Sequence, residues 1–142
     1  MSVRRAVELN FKNRIEAGLA NSKYKVVEGA TTDERPMPCV IVVAGNATNQ
    51  FEGIPQADGN YAVDLSVIIM TNIDTGTVNE HNDATQRVLN IMNERTTRKV
   101  GMVDGLYLYD VVKLNAGEDN QDRKLGSGLN YRAIVSYYPA TP

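Results

Sequence analysis

Apolar residues at Val3, Val7, Phe11, Ile15 and Leu19 recur every fourth position, with Ala6 and Leu9 beside them and Arg4, Arg5, Glu8, Lys12 and Glu16 between. That spacing lays one apolar stripe along a helix. Ser2 suits the N-cap and Gly18 weakens the last turn, so a helix is predicted from about Val3 to Leu19. The period then changes to strand character. Tyr24–Glu28 is a short β-branched run, Gly29–Pro38 a loop, and Cys39–Ala44 an unbroken apolar run of strand length behind Pro36 and Pro38. Gly45 to Gly59 is polar, carries Pro55 and ends in the turn signal Asp58-Gly59. A connection of that length between strands is usually functional. Asn60–Thr71 alternates as a strand, and Thr77-Val78-Asn79-Glu80 is a capping box. It opens a second helix with Ala84, Val88 and Met92 inward, fraying over Glu94–Thr97. Leu106–Leu114 and Leu129–Tyr138 close the chain as two strands separated by the polar stretch Asn115–Gly128. Asp104-Gly105 offers a lesser hairpin between Val100–Val103 and Leu106–Tyr109.

The predicted order is helix, strand, strand, strand, helix, strand, strand. It implies a single α+β domain over 1–142 with a mostly antiparallel five-stranded sheet and both helices on one face. The middle strand complicates this. Tyr61, Val63, Leu65, Val67 and Ile69 load one side, but Ile68 and Met70 load the other. Sheets that face water on one side usually alternate cleanly, so a strand apolar on both sides implies a second cover. With no third helix in the pattern, neighbouring copies of the chain are the expected cover, and an assembly protein is the expected class.

Composition narrows the choice further. The 142 residues are 42% hydrophobic and 23% charged, as in ordinary globular domains. Fifteen Lys and Arg against 17 Asp and Glu give a net charge of -2, so no overall field draws the chain to nucleic acid or an acidic membrane. The N-terminal stretch is amphipathic and charged, unlike an export signal, and no run of apolar residues has the length of a membrane span. Cys39 is the single cysteine, so an internal disulfide is not expected.

Candidate chemistry is sparse. A nucleophile reading pairs Cys39 with His81, the one histidine, and uses Asp83 as orienter. The plainer reading, adopted here, makes Cys39 a core residue of its strand and His81 a packed residue of the first helical turn. One His and one Cys far apart offer no recurring metal-ligand spacing. Gly126-Ser127-Gly128 lacks the lysine and following helix of a phosphate loop, and is read as turn glycines. Arg95-Thr96-Thr97-Arg98-Lys99 is a basic cluster beyond the second helix, where cations complement the helix dipole. No catalytic, metal or cofactor residue is assigned, and no enzymatic activity is expected.

Contact chemistry is richer. Glu118, Asp119, Asp122, Arg123 and Lys124 put both signs of charge at the tip of the last hairpin, which suits docking that needs register. Tyr107, Tyr109, Tyr131, Tyr137 and Tyr138 fall on the same two strands, serving either an interface or the core. The candidate contacts are the five charged tip residues, Tyr107 and Tyr109, and Phe51 and Glu52 in the long loop.

The whole arrangement resembles the tail terminator, or tail completion, proteins of tailed bacteriophages. The residues that carry the resemblance are the Val3–Leu19 stripe, Met37-Pro38-Cys39-Val40-Ile41-Val42 leading into a strand, Tyr61–Thr71, the Thr77–Glu94 helix, and Leu106–Leu114 returning through Leu129–Tyr138. Head-closure and neck proteins between portal and tail have a similar build. The resemblance implies a virion protein, assembled in the host cytoplasm into a homo-oligomeric ring, usually a hexamer. Such a ring caps the head-proximal end of the tail tube and stops its polymerisation. The implied partners are other copies of the chain, the tail tube protein, the sheath protein if the tail is contractile, and the neck or connector. DNA is implied only as cargo passing through the lumen, with no membrane partner and no cofactor.

Overall fold

In the computed structural model, residues 2–29, 37–48, 59–74, 76–94, 102–120 and 123–138 are described. Helix α1 (Val3–Gly18) leads into β1 (Lys25–Glu28), β2 (Cys39–Thr48) and β3 (Asn60–Asn72), followed by α2 (Val78–Asn93), β4 (Leu106–Glu118) and β5 (Lys124–Tyr137). The α+β class and the order α-β-β-β-α-β-β follow the sequence pattern. The five strands form one sheet in the order β1-β2-β3-β5-β4. Every pair is antiparallel except β1 with β2, where Lys25 opposes Cys39 and Glu28 opposes Val42 in parallel.

The helices stand where their caps put them. Ser2 Oγ accepts from Arg5 N at the start of α1. At α2, Thr77 Oγ1 accepts from Glu80 N at 3.1 Å and Glu80 Oε1 accepts in turn from Thr77 N at 3.2 Å. Neither helix has a basic residue in its last turn. Each is instead served by the other: Arg87 Nη2 donates to Gly18 O at 2.8 Å and Arg14 Nη2 to Ile91 O at 3.4 Å. These cations meet the C-terminal carbonyls that a helix leaves unpaired, and so lock the two helices together.

Both helices cover the same side of the sheet. Val7, Phe11 and Ile15 of α1 and Ala84 and Val88 of α2 pack on Val40 and Val42 of β2, Val63, Leu65, Val67 and Ile69 of β3, and Leu129, Tyr131, Ala133 and Val135 of β5. Burying each of the Val, Leu, Ile and Phe side chains is worth about 1.5–3 kcal/mol.

The two edges of the sheet are finished differently. β1 is only four residues long, and Gly29 N, donating to Val42 O at 2.9 Å, is its last contact with β2. The next outward-facing peptide of β2 is that of Ala44. Helix α1 takes over there: Glu8 Oε2 accepts from Ala44 N at 3.0 Å, and Arg4 Nη2 donates to Ala44 O at 3.1 Å. Arg5 holds Glu8 at 3.1 Å and also pairs with Glu28. On the other side of the sheet β4 runs for 13 residues as the outer strand.

Several boundaries differ from the sequence reading. β2 continues past Ala44 to Thr48, with a register shift between Ala44 and Ala47. Asn115–Gly128 is not one broad loop, because β4 runs to Glu118 and β5 begins at Lys124. Asn115, Glu118 and Lys124 are exposed strand residues. Asp104-Gly105 does turn, with Leu106 N donating to Val103 O at 3.0 Å, but Met102 and Val103 are not a strand. Phe51, Glu52, Asp122 and the cluster Arg95–Lys99 lie outside the described residues.

If Glu8 caps the β2 edge, Glu8→Ala strands a buried peptide N–H. The variant is expected to lose about 1–3 kcal/mol of stability in urea unfolding, whereas Glu16→Ala, at an exposed position of the same helix, stays within about 0.5 kcal/mol of the parent.

Candidate assembly surface

The side of the sheet away from the helices has three zones, set by the strand register. At one end Tyr107 opposes Ser136, so its ring stands on the helix-free side. A register shift between Leu108 and Asp110 puts Tyr109 on that side too, with its ring 6.0 Å from that of Tyr107 and its hydroxyl accepting from Ser136 Oγ at 3.3 Å. Tyr138 follows in the same direction. Its ring lies against Gly59, whose φ of +93° favours glycine and where a Cβ would come within 2.5 Å of the ring. The three rings are 65%, 56% and 60% exposed, with Met102 beside them in a recess of about 350 Å³.

The middle zone is polar. Arg132 Nε donates to Asp64 Oδ1 at 3.1 Å, and one step along the strands Ser66 Oγ donates to Asn130 Oδ1 at 2.7 Å while Asn130 Nδ2 donates to Asn115 Oδ1 at 2.6 Å. These bonds tie β3, β5 and β4 together across their exposed side.

At the far end is a notch of about 300 Å³. Ile68 and Met70 of β3, both half-buried, form one wall, and Gly117, Gly126 and Gly128 form the floor. Gly117 and Gly128 face each other across β4 and β5. Neither has the positive φ that demands glycine, and a Cβ on Gly117 would meet nothing within 4 Å.

The expected bare second face therefore needs correction. Cys39, Ile41, Ala62 and Ser136 are buried there, and Asp64 and Ser66 make the centre polar. The apolar exposure is concentrated on the β4 side, where Val112 and Leu114, each 44% exposed, continue the tyrosine zone.

Among the candidate contacts, Tyr107 and Tyr109 stand in the tyrosine zone. Glu118, Asp119 and Lys124 line the notch. Arg123 is exposed and forms an ion pair with Asp74, and its carbonyl accepts from Ile73 N at 2.8 Å. The start of β5 is thus tied to the segment just after β3. Tyr131 and Tyr137 are core residues, and burial pushes the Tyr131 hydroxyl up to about 12. Gly126 and Gly128, expected as turn glycines, are strand residues of β5. Two glycines with ordinary φ facing each other inside a hairpin are the signal that locates the notch.

The Cys39 and His81 pair is separated by the sheet. Cys39 opposes Met70 on the helix-free side, with its Sγ 3.9 Å from Met37 Sδ. His81 is on the helix side in a buried chain. Tyr24 Oη and Thr71 Oγ1 are 2.6 Å apart, Thr71 Oγ1 and His81 Nδ1 2.6 Å, and His81 Nε2 and Ser127 Oγ 2.8 Å. A neutral imidazole, with one donor and one acceptor, satisfies both hydroxyls. Burial holds the His81 pKa below its ordinary value, against a smaller upward pull from Glu118. Asp83 is exposed and borders another groove. Among the described residues no group of three His, Cys, Asp or Glu is placed to hold a metal ion, and no helix is long and apolar enough to cross a membrane.

No family model matches the chain, and no curated protein matches its sequence. A solved structure does match its fold. A chain from the virion of a native gene transfer agent particle superposes with a TM-score of 0.62 at 14% identity, over 95% of this chain and 98% of that one. The likeness spans nearly the whole length of both chains and shows a shared architecture.

The histidine chain gives a pH test. A depressed folded pKa means that the unfolded chain binds the proton more readily, so His81 contributes stability above its unfolded value of about 6.5 and loses it as pH falls through the lower folded value. Urea midpoints of the parent are expected to fall between pH 7.5 and 5.5. His81→Gln is expected to be less stable at pH 7.5 and to show a flatter slope across that range.

Proposed function

We propose that this chain is a non-enzymatic structural component of a tailed-phage-type virion, in which copies form a ring that closes the head-proximal end of the tail tube and joins it to the neck. The observation that carries the proposal is the end-to-end fold likeness to a virion chain, combined with an exposed apolar surface that gathers along the outer strand β4 and beside it at Met102 and Tyr138. Termination is then geometric. A subunit with one edge closed by its own helix and the other side apolar has a direction, and directed contacts that close on themselves make rings. A closed ring shows different surfaces above and below. One fits the last layer of tube protein, and the other, being different, accepts a connector and no further tube. The sheath protein of a contractile tail is a further partner of the rim, and DNA passes through the lumen without sequence-specific contact. Chemistry is not required for any of these steps.

The test uses purified chain and tubes polymerised from the tube protein of the same virus. Electron microscopy is expected to show added density at one tube end, and tubes grown in the presence of the chain are expected to be shorter. Binding to portal-side rings with no affinity for tube ends would move the role to head closure, and tubes unaffected in length and ends would remove the capping role.

A further inference from the structure

The tyrosine zone and the glycine notch lie at opposite ends of one side of the sheet, and the geometry points to a contact in which the tyrosines of one copy seat in the notch of the next. This deepens the ring reading above and rests on it for the idea that the partner is a second copy. Size is the first argument. Rings of Tyr107, Tyr109 and Tyr138 at 56–65% exposure leave about 350 Å² of aromatic surface in water. That is nearly half of the roughly 800 Å² that each partner gives to a standard interface. Met102, Val112 and Leu114 extend the same surface.

Fit is the second. The notch, at about 300 Å³, is at the lower limit of sites that enclose small molecules, so it has room for one or two rings. Whereas Gly126 stays bare because a Cβ would meet Asp119 O at 2.8 Å, Gly117 and Gly128 have ordinary φ and room for a side chain. A strand interior gains order and packing from almost any other residue there, so the open floor fits the close approach of another chain.

Direction is the third. Tyr107 and Gly117 oppose Ser136 and Gly128, which are eight residues apart on β5, roughly 27 Å at strand rise. Two copies stacked face to face about a two-fold axis would fill both notches, but would also press the Asp64–Arg132 pair and the Ser66–Asn130–Asn115 bonds between them. Desolvating that charged pair opposes such a stack. An end-to-end contact leaves the polar zone in water and leaves a free tyrosine zone on one copy and a free notch on the other. It therefore continues beyond two copies.

Gly117→Leu and Tyr107→Ala test the contact by sedimentation velocity of the full chain at 1–100 µM (about the range of moderate self-association). The parent is expected to form species larger than a dimer. Gly117→Leu fills the notch at an exposed strand position, so it should remain folded, with an unfolding midpoint no lower than the parent's. Each variant alone is expected to associate at least about tenfold more weakly. Mixed together, they share one intact contact and are expected to form pairs and nothing larger. A parent that stays monomeric or stops at a dimer overturns the contact, as does normal assembly by Gly117→Leu. If Gly117→Leu assembles and still caps tubes, the contact falls and the ring reading stands. If the parent assembles through this contact but ignores tube ends, the contact stands and tube capping falls.

Discussion

A sheet cannot leave its outer peptide groups in apolar surroundings, and this protein meets that constraint unequally on its two sides. β1 is too short to cover β2, so Glu8 and Arg4 of α1 reach past it and pair with both polar atoms of the Ala44 peptide. The carboxylate and the guanidinium do there what another strand would do. That fixes α1 against the sheet, and α1 fixes α2 through the exchanged arginine caps. With one edge finished from within, what the fold can offer a partner is moved to the β4 side. The register shifts at Leu108/Asp110 and Lys113/Asn115 interrupt that strand as a template for pairing, so its side chains, more than its backbone, are what it offers.

The parts of this architecture that were legible in the sequence are those carried by a strong local signal. Ser2 and the Thr77–Glu80 capping box set the helix starts because a side chain there replaces a missing backbone partner, which is a local matter. β3 was legible from its alternation because one of its faces is wholly in the core. The ends of β4 and β5 were not. Val112–Glu118 is exposed along its length, so neither side of the strand imposes apolar residues and the segment reads as loop. Its pairing with β5 holds it in place, and pairing of distant residues leaves no local mark. The parallel placement of β1 was equally hidden, because four residues carry no direction.

The candidate contacts divide for the same reason. Tyrosine composition alone cannot separate Tyr107 from Tyr131. Register does so at once, because Tyr131 opposes Leu65 of the core strand and Tyr107 opposes Ser136 on the other side. Charge at the hairpin tip likewise suggested an outward arm, yet Arg123 has an acidic partner in Asp74 just beyond β3. A charged residue in a sequence declares a need for water or a counter-ion. It does not say which of the two the fold supplies.

The sheet also sorts the reactive side chains. Cys39 and His81 lie on opposite faces, so their co-occurrence as the one cysteine and one histidine has no chemical content. His81 instead joins two hydroxyls from β3 and β5 to the start of α2, and Tyr24 extends the chain from the other side. A buried polar network of this kind is favourable only when each member is paired, and it then admits few alternative packings. It sits at the end of β3 nearest the notch, where Ser127 is flanked by Gly126 and Gly128. The helix side of β5 is thus fixed by hydrogen bonds at the point where its other side is left bare by glycine. Such support matters at that point, because a floor without side chains has no packing of its own to keep it rigid.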